Sequence, residues 1–224
     1  DPGGRFYTWL TLRWPPPLMP AYLRTALPQW RHPLMLPAYW KLTPSMPDDV
    51  DCVVNANVLF YAGAGPEMRP VVDYLVDIAR RGEGHRCDKW HRNQFMFHYV
   101  VSRNFDAGVA ALGEARDASV AGIVAAARPD GSIGDNAADT ALAVCALLSW
   151  GSAPPELRRA AQFLLGSQRA DGSWPRTTLW YGGPQKHYGW GSEELTTGFC
   201  LEALLRYGQK FSAPRDGHEG DGGR

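Results

Sequence analysis

One segment joins the pattern of a short helix to that of a tight turn: RAAQFLLGSQRADGSW, residues 159–174. Residues 163–165 give a helix its apolar side, and arginines keep its beginning in water. The pattern ends at Gln168 and is followed by Asp-Gly-Ser-Trp, which is typical of a turn. Gly172 supplies the backbone freedom that ends the helix. The sequence therefore predicts a short outer helix with Trp174 folded back under the turn that closes it.

This helix-and-turn unit recurs along the chain. PDGSIGDNAADTALAVCALLSWG and ADGSWP…WGSEELTTGFCLEALLRYG share an Asp-Gly-Ser turn, an acidic helix start, a threonine, small and aliphatic residues and a glycine. Asp130 and Asp171 give the two turns a spacing of 41 residues, within the range of helical-hairpin repeats. DVDCVVNANVLFYAG resembles the second half of a third copy. DPGGRF, residues 1–6, then takes the place of its turn.

Apolar periodicity predicts helices of two kinds. Half-solvated outer helices are expected at residues 70–81, 118–128 and 155–168. Inner helices, apolar nearly all round, are expected at residues 93–105, 135–150 and 193–207. Another helix begins after Asp48 or Asp49, either of which would cap it, and ends at Gly63. Asp135 and Glu193 are the expected caps of two inner helices. Alternating solvated and apolar helices indicate an all-α fold in two layers.

The ends of the chain differ in composition from this repeat region, which spans residues 48–211. Residues 1–47 are rich in proline and tryptophan, which predicts an extended connection with one short helix near residues 21–27 that covers a neighbouring surface. Residues 212–224 are small and polar, which predicts a disordered tail. The opening residues resemble the end of a turn, so we expect the native chain to begin earlier.

Charge and cysteine content restrict the partners and the compartment. The chain has 23 basic and 23 acidic residues, which gives no electrostatic case for binding nucleic acid. No apolar run approaches the ~18 residues of a membrane span. Four cysteines without paired spacing predict free buried thiols in a reducing compartment: Cys52, Cys87, Cys145 and Cys200. We therefore expect a cytoplasmic protein, with peripheral membrane association left open.

The stretch at residues 159–174 resembles the QW motif of squalene–hopene cyclases and related terpene cyclases. The resemblance covers all sixteen residues, with a basic residue, a small residue, an aromatic and an aliphatic followed by Gln168, Gly172 and Trp174. It implies an (α/α) toroid, in which helical hairpins surround a central cavity. The predicted helices make only part of such a ring. We therefore expect an incomplete toroid or an N-terminally truncated chain, with a partner domain or subunit that completes it.

The segment PDDVDC at residues 47–52 resembles the Asp-x-Asp-Asp acid of protonation-initiated (class II) terpene cyclases. The resemblance implies that Asp51 is a catalytic acid that protonates an alkene or epoxide, with Asp49 as its anionic partner. The chemistry requires a carboxylic acid kept protonated beside a carboxylate in a dry pocket. Cys52 departs from the pattern, because it replaces the final Asp. The alternative, in which these acids only cap a helix, stays open.

Several other polar and aromatic residues are candidates for the same site. Asn55 lies four residues after Asp51 on the same helical face and could orient it. Aromatic rings would stabilise a carbocation by cation–π attraction, although packing in the core explains them as well. The Gly- and aromatic-rich loop at residues 180–192 could contact a head group, including a diphosphate. The expected substrate-binding residues are Phe97, Tyr99, Arg103, Trp180, Tyr181, Lys186 and Trp190.

A metal site is not expected. His85, Cys87, Asp88, His91 and His98 form the one metal-like cluster in the sequence, but their spacing matches no standard zinc motif. Protein prenyltransferase β-subunits fold as the same toroid and hold zinc with an Asp-x-Cys pair. Here Gly198 stands where the Asp before Cys200 should be. The resemblance requires no cofactor, although a prenyl diphosphate substrate would add Mg²⁺.

Three functions remain open from the sequence. The first is a terpene-cyclase-like domain that cyclises an isoprenoid in an apolar cavity, begun by protonation from Asp51. The second is a non-catalytic toroid that binds a lipid or peptide, or serves as an assembly subunit. The third is a transferase similar to a protein prenyltransferase β-subunit.

Overall fold

The computed structural model describes residues 1–11, 20–31 and 34–212, and this part of the chain is mostly helical, as predicted. In chain order the α-helices are α1 (Pro20–Ala26), α2 (Met35–Leu42), α3 (Cys52–Ala62), α4 (Arg69–Arg81), α5 (Gln94–Asp106), α6 (Arg116–Ala125), α7 (Ala137–Ser149), α8 (Pro155–Ser167) and α9 (Glu193–Ser212). Two short antiparallel strands, β1 (Trp180–Gly182) and β2 (Tyr188–Trp190), form a hairpin. Short 3₁₀ turns connect several of these elements.

Helices α3, α5, α7 and α9 pack side by side in that order. All thirteen residues of α7 are buried, because its sequence is apolar or small on every side. Its alanines let the neighbouring helices approach closely, as at Cys200 of α9, which lies 3.7 Å from the Ala137 carbonyl oxygen. The amphipathic helix α4 packs on α3, α8 packs on α7 and α9, and α6 contacts both α4 and α5. The expected inner and outer layers are therefore present.

The repeated turns have nearly identical geometry. The carboxylates of Asp130 and Asp171 each accept a hydrogen bond from the backbone N–H of the serine two residues later, at 3.0 Å in both turns. Gly131 and Gly172 occupy the left-handed region, with φ of +92° and +85°. Such a conformation favours glycine, which is why the Asp-Gly pair recurs.

The third copy has the same connection between turn and inner helix. The Ile133 N–H donates to the Thr140 hydroxyl at 3.1 Å, and the Phe6 N–H donates to Asn55 Oδ1 at 2.8 Å. Gly4 has φ of +76° in the first turn, as the later turns have at their glycines. DPGGRF therefore takes the place of a repeat turn, as the sequence predicted.

The stretch that resembles the QW motif joins α8 to the turn after it. Gln168 lies one residue beyond α8, and its side-chain amide donates to the Gly172 carbonyl at 2.9 Å. Trp174 is fully buried, and its indole N–H donates to the Leu164 carbonyl at 3.0 Å. Both residues therefore have structural roles within one hairpin.

Four predicted helix ends were wrong. Asp51 caps α3 in place of Asp48 or Asp49, and Asn136 caps α7 in place of Asp135. The Asp135 carboxylate is turned away from the helix and pairs with Arg128. Helix α9 begins at Glu193, and the hydroxyl that accepts the Leu195 N–H at its start, at 3.2 Å, belongs to Ser192 and not to Glu193. Helix α9 continues through Gly208 to Ser212, since one glycine costs a helix only about 1 kcal/mol.

The proline-rich region has more helix than the sequence predicted. α1 lies where one short helix was expected, but α2 was not anticipated. Pro37 is compatible with α2 because it lies in the first turn, where a missing N–H breaks no helical hydrogen bond. Ser212, the first residue of the predicted tail, is the last residue of α9, and residues 213–224 of that tail lie outside the described residues.

The prediction that all four cysteines are free thiols was wrong for two of them. Cys52 and Cys87 form a disulfide, with their Cα atoms 5.4 Å apart. The bond joins residues 35 positions apart, and sequence spacing alone does not reveal such a long-range pair. Cys145 and Cys200 are free and buried, as expected. The disulfide removes the cysteine-based argument for a reducing compartment.

Candidate functional site

Asp51 lies at the beginning of α3 and is almost entirely buried. Its Oδ1 accepts hydrogen bonds from the backbone N–H groups of Val53 and Val54, at 2.8 and 3.0 Å. These are ordinary N-cap bonds. The carboxyl group also hydrogen-bonds to the side chain of Asp88, which comes from the turn between α4 and α5.

Asp88 is buried and surrounded by donors from its own turn. Its Oδ1 accepts from the Trp90 N–H at 2.7 Å, and its Oδ2 accepts from the His91 N–H at 3.0 Å. The same oxygen contacts His91 Nδ1. Asp51, Asp88 and His91 therefore form a continuous chain of side chains, which we call the acid cluster.

The pKa values of the two carboxyl groups in the acid cluster are shifted in opposite directions. Burial, followed by the hydrogen bond and charge of Asp88, raises the pKa of Asp51 to about 7. Burial acts in the same direction on Asp88, but hydrogen bonds from His91 and Asp51 together hold its pKa below the usual value. Burial opposes the charge on His91, yet contact with Asp88 raises the His91 pKa overall. A hydrogen bond between two carboxyls needs one proton, and these shifts assign that proton to Asp51.

A pocket of about 190 Å³ opens beside the cluster. Asp51 and the disulfide half-cystine Cys87 form part of its wall, together with Tyr74 from α4. Burial raises the pKa of Tyr74 to about 12, so its hydroxyl remains protonated. The remaining wall residues are Thr8, Asp49, Val50, Arg86, Lys89 and Trp90.

Aromatic residues surround Trp90 at this pocket. The Trp180 ring is stacked on Trp90 with a centroid distance of 5.4 Å and an interplanar angle of 11°. Trp9 contacts Trp90 edge-on at 5.5 Å. The buried Lys186 places its ammonium 4.5 Å from the Trp90 ring centroid. Burial, reinforced by repulsion from Lys89, lowers the pKa of Lys186.

Two other expected substrate-binding residues, Tyr181 and Trp190, lie in the hairpin. The Tyr181 N–H donates to the Trp90 carbonyl at 2.7 Å, and the Arg92 guanidinium lies over the Tyr181 ring. Trp190 is paired with Trp180 across the strands and is more than half exposed. The structure thus brings Trp180, Tyr181 and Lys186 to the Trp90 side of the acid cluster.

The other expected substrate-binding residues lie elsewhere. Arg103 donates to Asn57 Oδ1 at 2.7 Å and stacks on the ring of Phe60. The Tyr99 hydroxyl donates to Glu202 at 3.0 Å, which links α5 to α9. Phe97 is fully buried and packs beside Gly84 and His98. None of these three residues belongs to the wall of the pocket beside the acid cluster.

Asp49 and Asn55 do not have the surroundings that their expected roles require. Asp49 forms an ion pair with Lys89 and accepts the Met46 N–H, whereas the carboxylate that contacts Asp51 is Asp88. Asn55 exchanges hydrogen bonds with the backbone of Phe6 and donates to the Asp51 carbonyl at 2.8 Å. Asn55 therefore binds the backbone of Phe6 and Asp51 and does not orient the Asp51 carboxyl group.

The beginnings of two neighbouring inner helices also meet. Asn93, the N-cap of α5, donates to Asp139 of α7 at 2.6 Å. Burial raises the pKa of Asp139. Both residues line a second pocket of about 260 Å³, which Arg92 and His85 also border.

The histidine- and cysteine-containing cluster has structural contacts. Cys87 is in the disulfide and Asp88 is bound to His91, while His98 packs against Gly122 of α6. Burial lowers the pKa of His98 to about 4, so it is neutral. Among residues 1–11, 20–31 and 34–212, no group of three or more His, Cys, Asp or Glu side chains has the geometry to hold a metal ion.

Sequence reasoning missed Asp88 as the partner of Asp51. The residue order becomes informative only once the disulfide is known, since Asp51 precedes Cys52 and Asp88 follows Cys87. Pairing these two cysteines would have brought both carboxyl groups together. The aromatic neighbour Trp90 was missed as well, because its position depends on contacts with Trp9 and Trp180, which are remote in sequence.

Comparisons with known proteins inform on the fold alone. The chain is similar to a solved structure described as a protein from Actinoplanes, with 21% identity and a TM-score of 0.65. The match covers 92% of this chain and 65% of that one, so this chain spans about two thirds of its length. No protein-family model and no curated protein matches the sequence. In the described part of the chain, no helix is long and apolar enough to cross a membrane.

Proposed function

We propose that this chain is a terpene-cyclase-like domain in which Asp51 protonates an isoprenoid substrate and so initiates its cyclisation. The row α3–α5–α7–α9, backed by outer helices, would then be an arc of an (α/α) toroid. A partner domain or subunit would complete the ring. The observation that carries the proposal is the buried contact between Asp51 and Asp88 at a pocket wall.

This contact provides what acid catalysis needs at neutral pH. A pKa of about 7 keeps a proton on Asp51 where an ordinary aspartate would have lost it. Asp88 supplies the second carboxylate that the sequence pattern lacks at Cys52. His91 is partly exposed, with 26% of its side chain accessible, and can exchange protons with water while it stabilises the charge on Asp88.

The proposed step transfers one proton. The Asp51 O–H proton goes to the substrate, whose electron pair forms the new bond, and Asp51 keeps the O–H pair as a carboxylate. For an epoxide, an oxygen lone pair takes the proton and the ring C–O bond breaks, which leaves a carbocation. The π electron pair of an internal alkene then forms the new C–C bond, and the final cation loses a proton to water. A carboxylic acid with this pKa protonates an epoxide oxygen more readily than a plain alkene, because the oxygen is the stronger base. The epoxide is therefore the favoured substrate class.

The pocket restricts how a substrate would bind. Its volume of about 190 Å³ lies below the roughly 300–1,000 Å³ of most ligand pockets. It would hold the reacting end of an isoprenoid, with the remaining chain on the aromatic surface around Trp90. Lys186 and Arg92 would contact a diphosphate head group if the substrate has one. In that case Mg²⁺ would accompany the substrate, and otherwise no cofactor is required.

Asp51→Asn is the variant that tests this proposal. Asparagine caps helices as well as aspartate does, and Asn93 and Asn136 do so here, so the fold should be retained. We expect the wild type to convert squalene, 2,3-oxidosqualene, farnesyl diphosphate or geranylgeranyl diphosphate to a cyclic product, detected by mass spectrometry. The variant should form at least a hundredfold less. Asp171→Asn, in an exposed repeat turn, serves as the control and should match the wild type. Equal amounts of product from the wild type and Asp51→Asn would refute the assignment of Asp51 as the catalytic acid.

A second candidate function is non-catalytic binding of a lipid or peptide. The observation that favours it is the N-cap geometry, because Asp51 makes the same kind of bonds as the neutral caps Asn93 and Asn136. The same incubation distinguishes the two, since this function predicts ligand retention without turnover. The prenyltransferase-like alternative is disfavoured. Its expected zinc ligand, Cys200, is fully buried, and burial raises its thiol pKa to about 12.

A further inference from the structure

The two carboxyl groups of the acid cluster are direct chain neighbours of the disulfide. Asp51 precedes Cys52, and Asp88 follows Cys87. The Cys52 N–H also donates to the Cys87 carbonyl at 3.1 Å, so the two backbones are joined twice at the same point. A covalent bond and a hydrogen bond between adjacent residues leave the neighbouring side chains little freedom to separate.

The other contacts of Asp88 would not hold it against α3. Its bonds to the Trp90 and His91 backbones and to the His91 ring all lie within its own turn. Two other contacts link the segments. The Lys89–Asp49 ion pair contributes little because Lys89 is 45% exposed, and the Cys52–Cys87 backbone hydrogen bond is a single bond of modest net stability. When both carboxyls are ionised they repel, which drives the segments apart.

We propose that the Cys52–Cys87 disulfide positions Asp88 against Asp51, so that reduction of this bond separates the two carboxyl groups and inactivates the acid. This inference rests on the proposed function and adds redox control to it. Cys52 and Cys87 are positioning residues, since neither would touch the substrate's reacting atoms through its sulfur. This positioning would explain why Cys52 stands where the class II pattern has its final Asp. The disulfide of Cys52 brings Asp88 to Asp51, and Asp88 supplies the second carboxylate.

The switching step is a two-electron thiol–disulfide exchange. A dithiol reductant breaks the S–S bond and leaves two thiols, while the reductant closes to its own disulfide. Cys87 borders the pocket and is only partly buried, which gives the reductant a route. The free thiols Cys145 and Cys200 are buried and have raised pKa values, so they remain protonated and do not exchange.

The test is a ¹³C NMR titration of the aspartate carboxyls, with Asp51 assigned by its absence in Asp51→Asn. It compares the oxidised chain, the chain in excess dithiothreitol, and Cys52→Ala/Cys87→Ala. We expect the Asp51 pKa to fall by at least one unit in the two samples that lack the disulfide, and turnover to fall at least tenfold. Oxidised Asp88→Asn should show the same fall with the disulfide intact.

The other charged or titratable groups around Asp51 are Asp49, Tyr74, Arg86, Lys89 and His91.

Controls separate positioning from global unfolding. Circular dichroism should be native for each sample, and Cys145→Ala/Cys200→Ala should respond to reductant as the wild type does. The proposal is overturned if the folded, disulfide-free chain keeps the raised Asp51 pKa. It is also overturned if both disulfide-free samples unfold, because the bond then serves general stability. Full turnover by the reduced chain, with Asp51→Asn inactive, would refute the redox control and leave the proposed function standing. An oxidised chain without turnover refutes the proposed function, and the titration still decides whether the disulfide positions the pair.

Discussion

Asp51 combines a structural role with a chemical one in a single carboxyl group. One oxygen caps α3, and the group as a whole shares a proton with Asp88. The backbone N–H bonds favour the anion, but burial and the second carboxylate favour the acid more strongly. The outcome depends on Asp88, which approaches through the disulfide and not through local sequence.

The raised pKa of Asp51 has a consequence for stability against pH. The folded state holds the proton up to about pH 7, whereas an unfolded aspartate loses it near pH 3.9. The folded state therefore binds more protons between these values, and its stability falls as pH rises through that window. The raised pKa of His91 lowers the stability further only above the ordinary histidine pKa of about 6.5. The lowered pKa of Asp88 affects the stability only below about pH 4.

We expect Asp51→Asn to remove this loss of stability. Relative to the wild type, the free energy of unfolding of the variant should rise by up to about 1.4 kcal/mol for each pH unit between pH 4 and pH 7. Urea unfolding at several pH values measures the difference. Asp171→Asn, at an exposed turn, should change in parallel with the wild type. A constant difference between Asp51→Asn and wild type would show that Asp51 titrates normally.

Asn55 is a structural residue at the same helix. It makes three hydrogen bonds to backbone groups, two of them with Phe6. Asn55→Ala leaves these buried groups unpaired and should lower the free energy of unfolding by about 2–4 kcal/mol. It should also expose the N-terminal segment to proteolysis. Asn57→Ala, on the exposed side of the same helix, should cost under about 1 kcal/mol. Similar losses for both variants would contradict this role.

At the scale of helices and turns, the sequence predicted most of the helices and the two Asp-Gly-Ser turns. The apolar pattern placed α3, α4, α5, α7 and α8 to within about two residues, because their burial follows directly from periodicity. The Asp-Gly turns were found because a left-handed backbone position favours glycine. The exact caps were missed at Asp51 and Asn136, where two neighbouring polar residues compete for one position and only the tertiary contacts choose.

The repeat turns provide a matched pair of glycines. A Cβ on Gly131 would lie 2.9 Å from the Arg159 carbonyl oxygen, whereas one on Gly172 would have Gln168 Nε2 as its nearest neighbour, at 3.8 Å. Both positions have positive φ, so alanine is strained at each. We expect Gly131→Ala to cost about 1–2 kcal/mol more than Gly172→Ala, because only Gly131 adds a clash with backbone. Thermal unfolding of both variants measures the difference, and equal losses would contradict the packing at the first turn.

At the scale of the whole molecule, the disulfide joins the first inner helix to the turn that leads into the second. This contact could not be predicted from the sequence, because no local pattern pairs residues 52 and 87. The candidate site likewise depends on contacts between segments that are distant in sequence. Asp51 and the hairpin aromatics were identified from the sequence, but Asp88, His91 and Trp90 become their neighbours only through packing between distant segments.

Loss of the disulfide should also lower global stability. Closing a loop of 35 residues restricts the unfolded chain, which the chain-entropy model values at about 3–4 kcal/mol. We expect Cys52→Ala/Cys87→Ala to lose about this much free energy of unfolding in urea, with the folded state retained. Dithiothreitol should destabilise the wild type by a similar amount and leave the double variant unchanged. An effect of the reductant on the double variant would indicate another target.

Titration of the aspartate carboxyls in the oxidised chain by ¹³C NMR shows whether Asp51 is the proposed acid. The acid cluster predicts one carboxyl that titrates near pH 7 and is absent from Asp51→Asn. It further predicts that the same carboxyl titrates at lower pH in Asp88→Asn. If every aspartate in the wild type titrates below about pH 5, Asp51 is an ordinary helix cap and not the proposed acid.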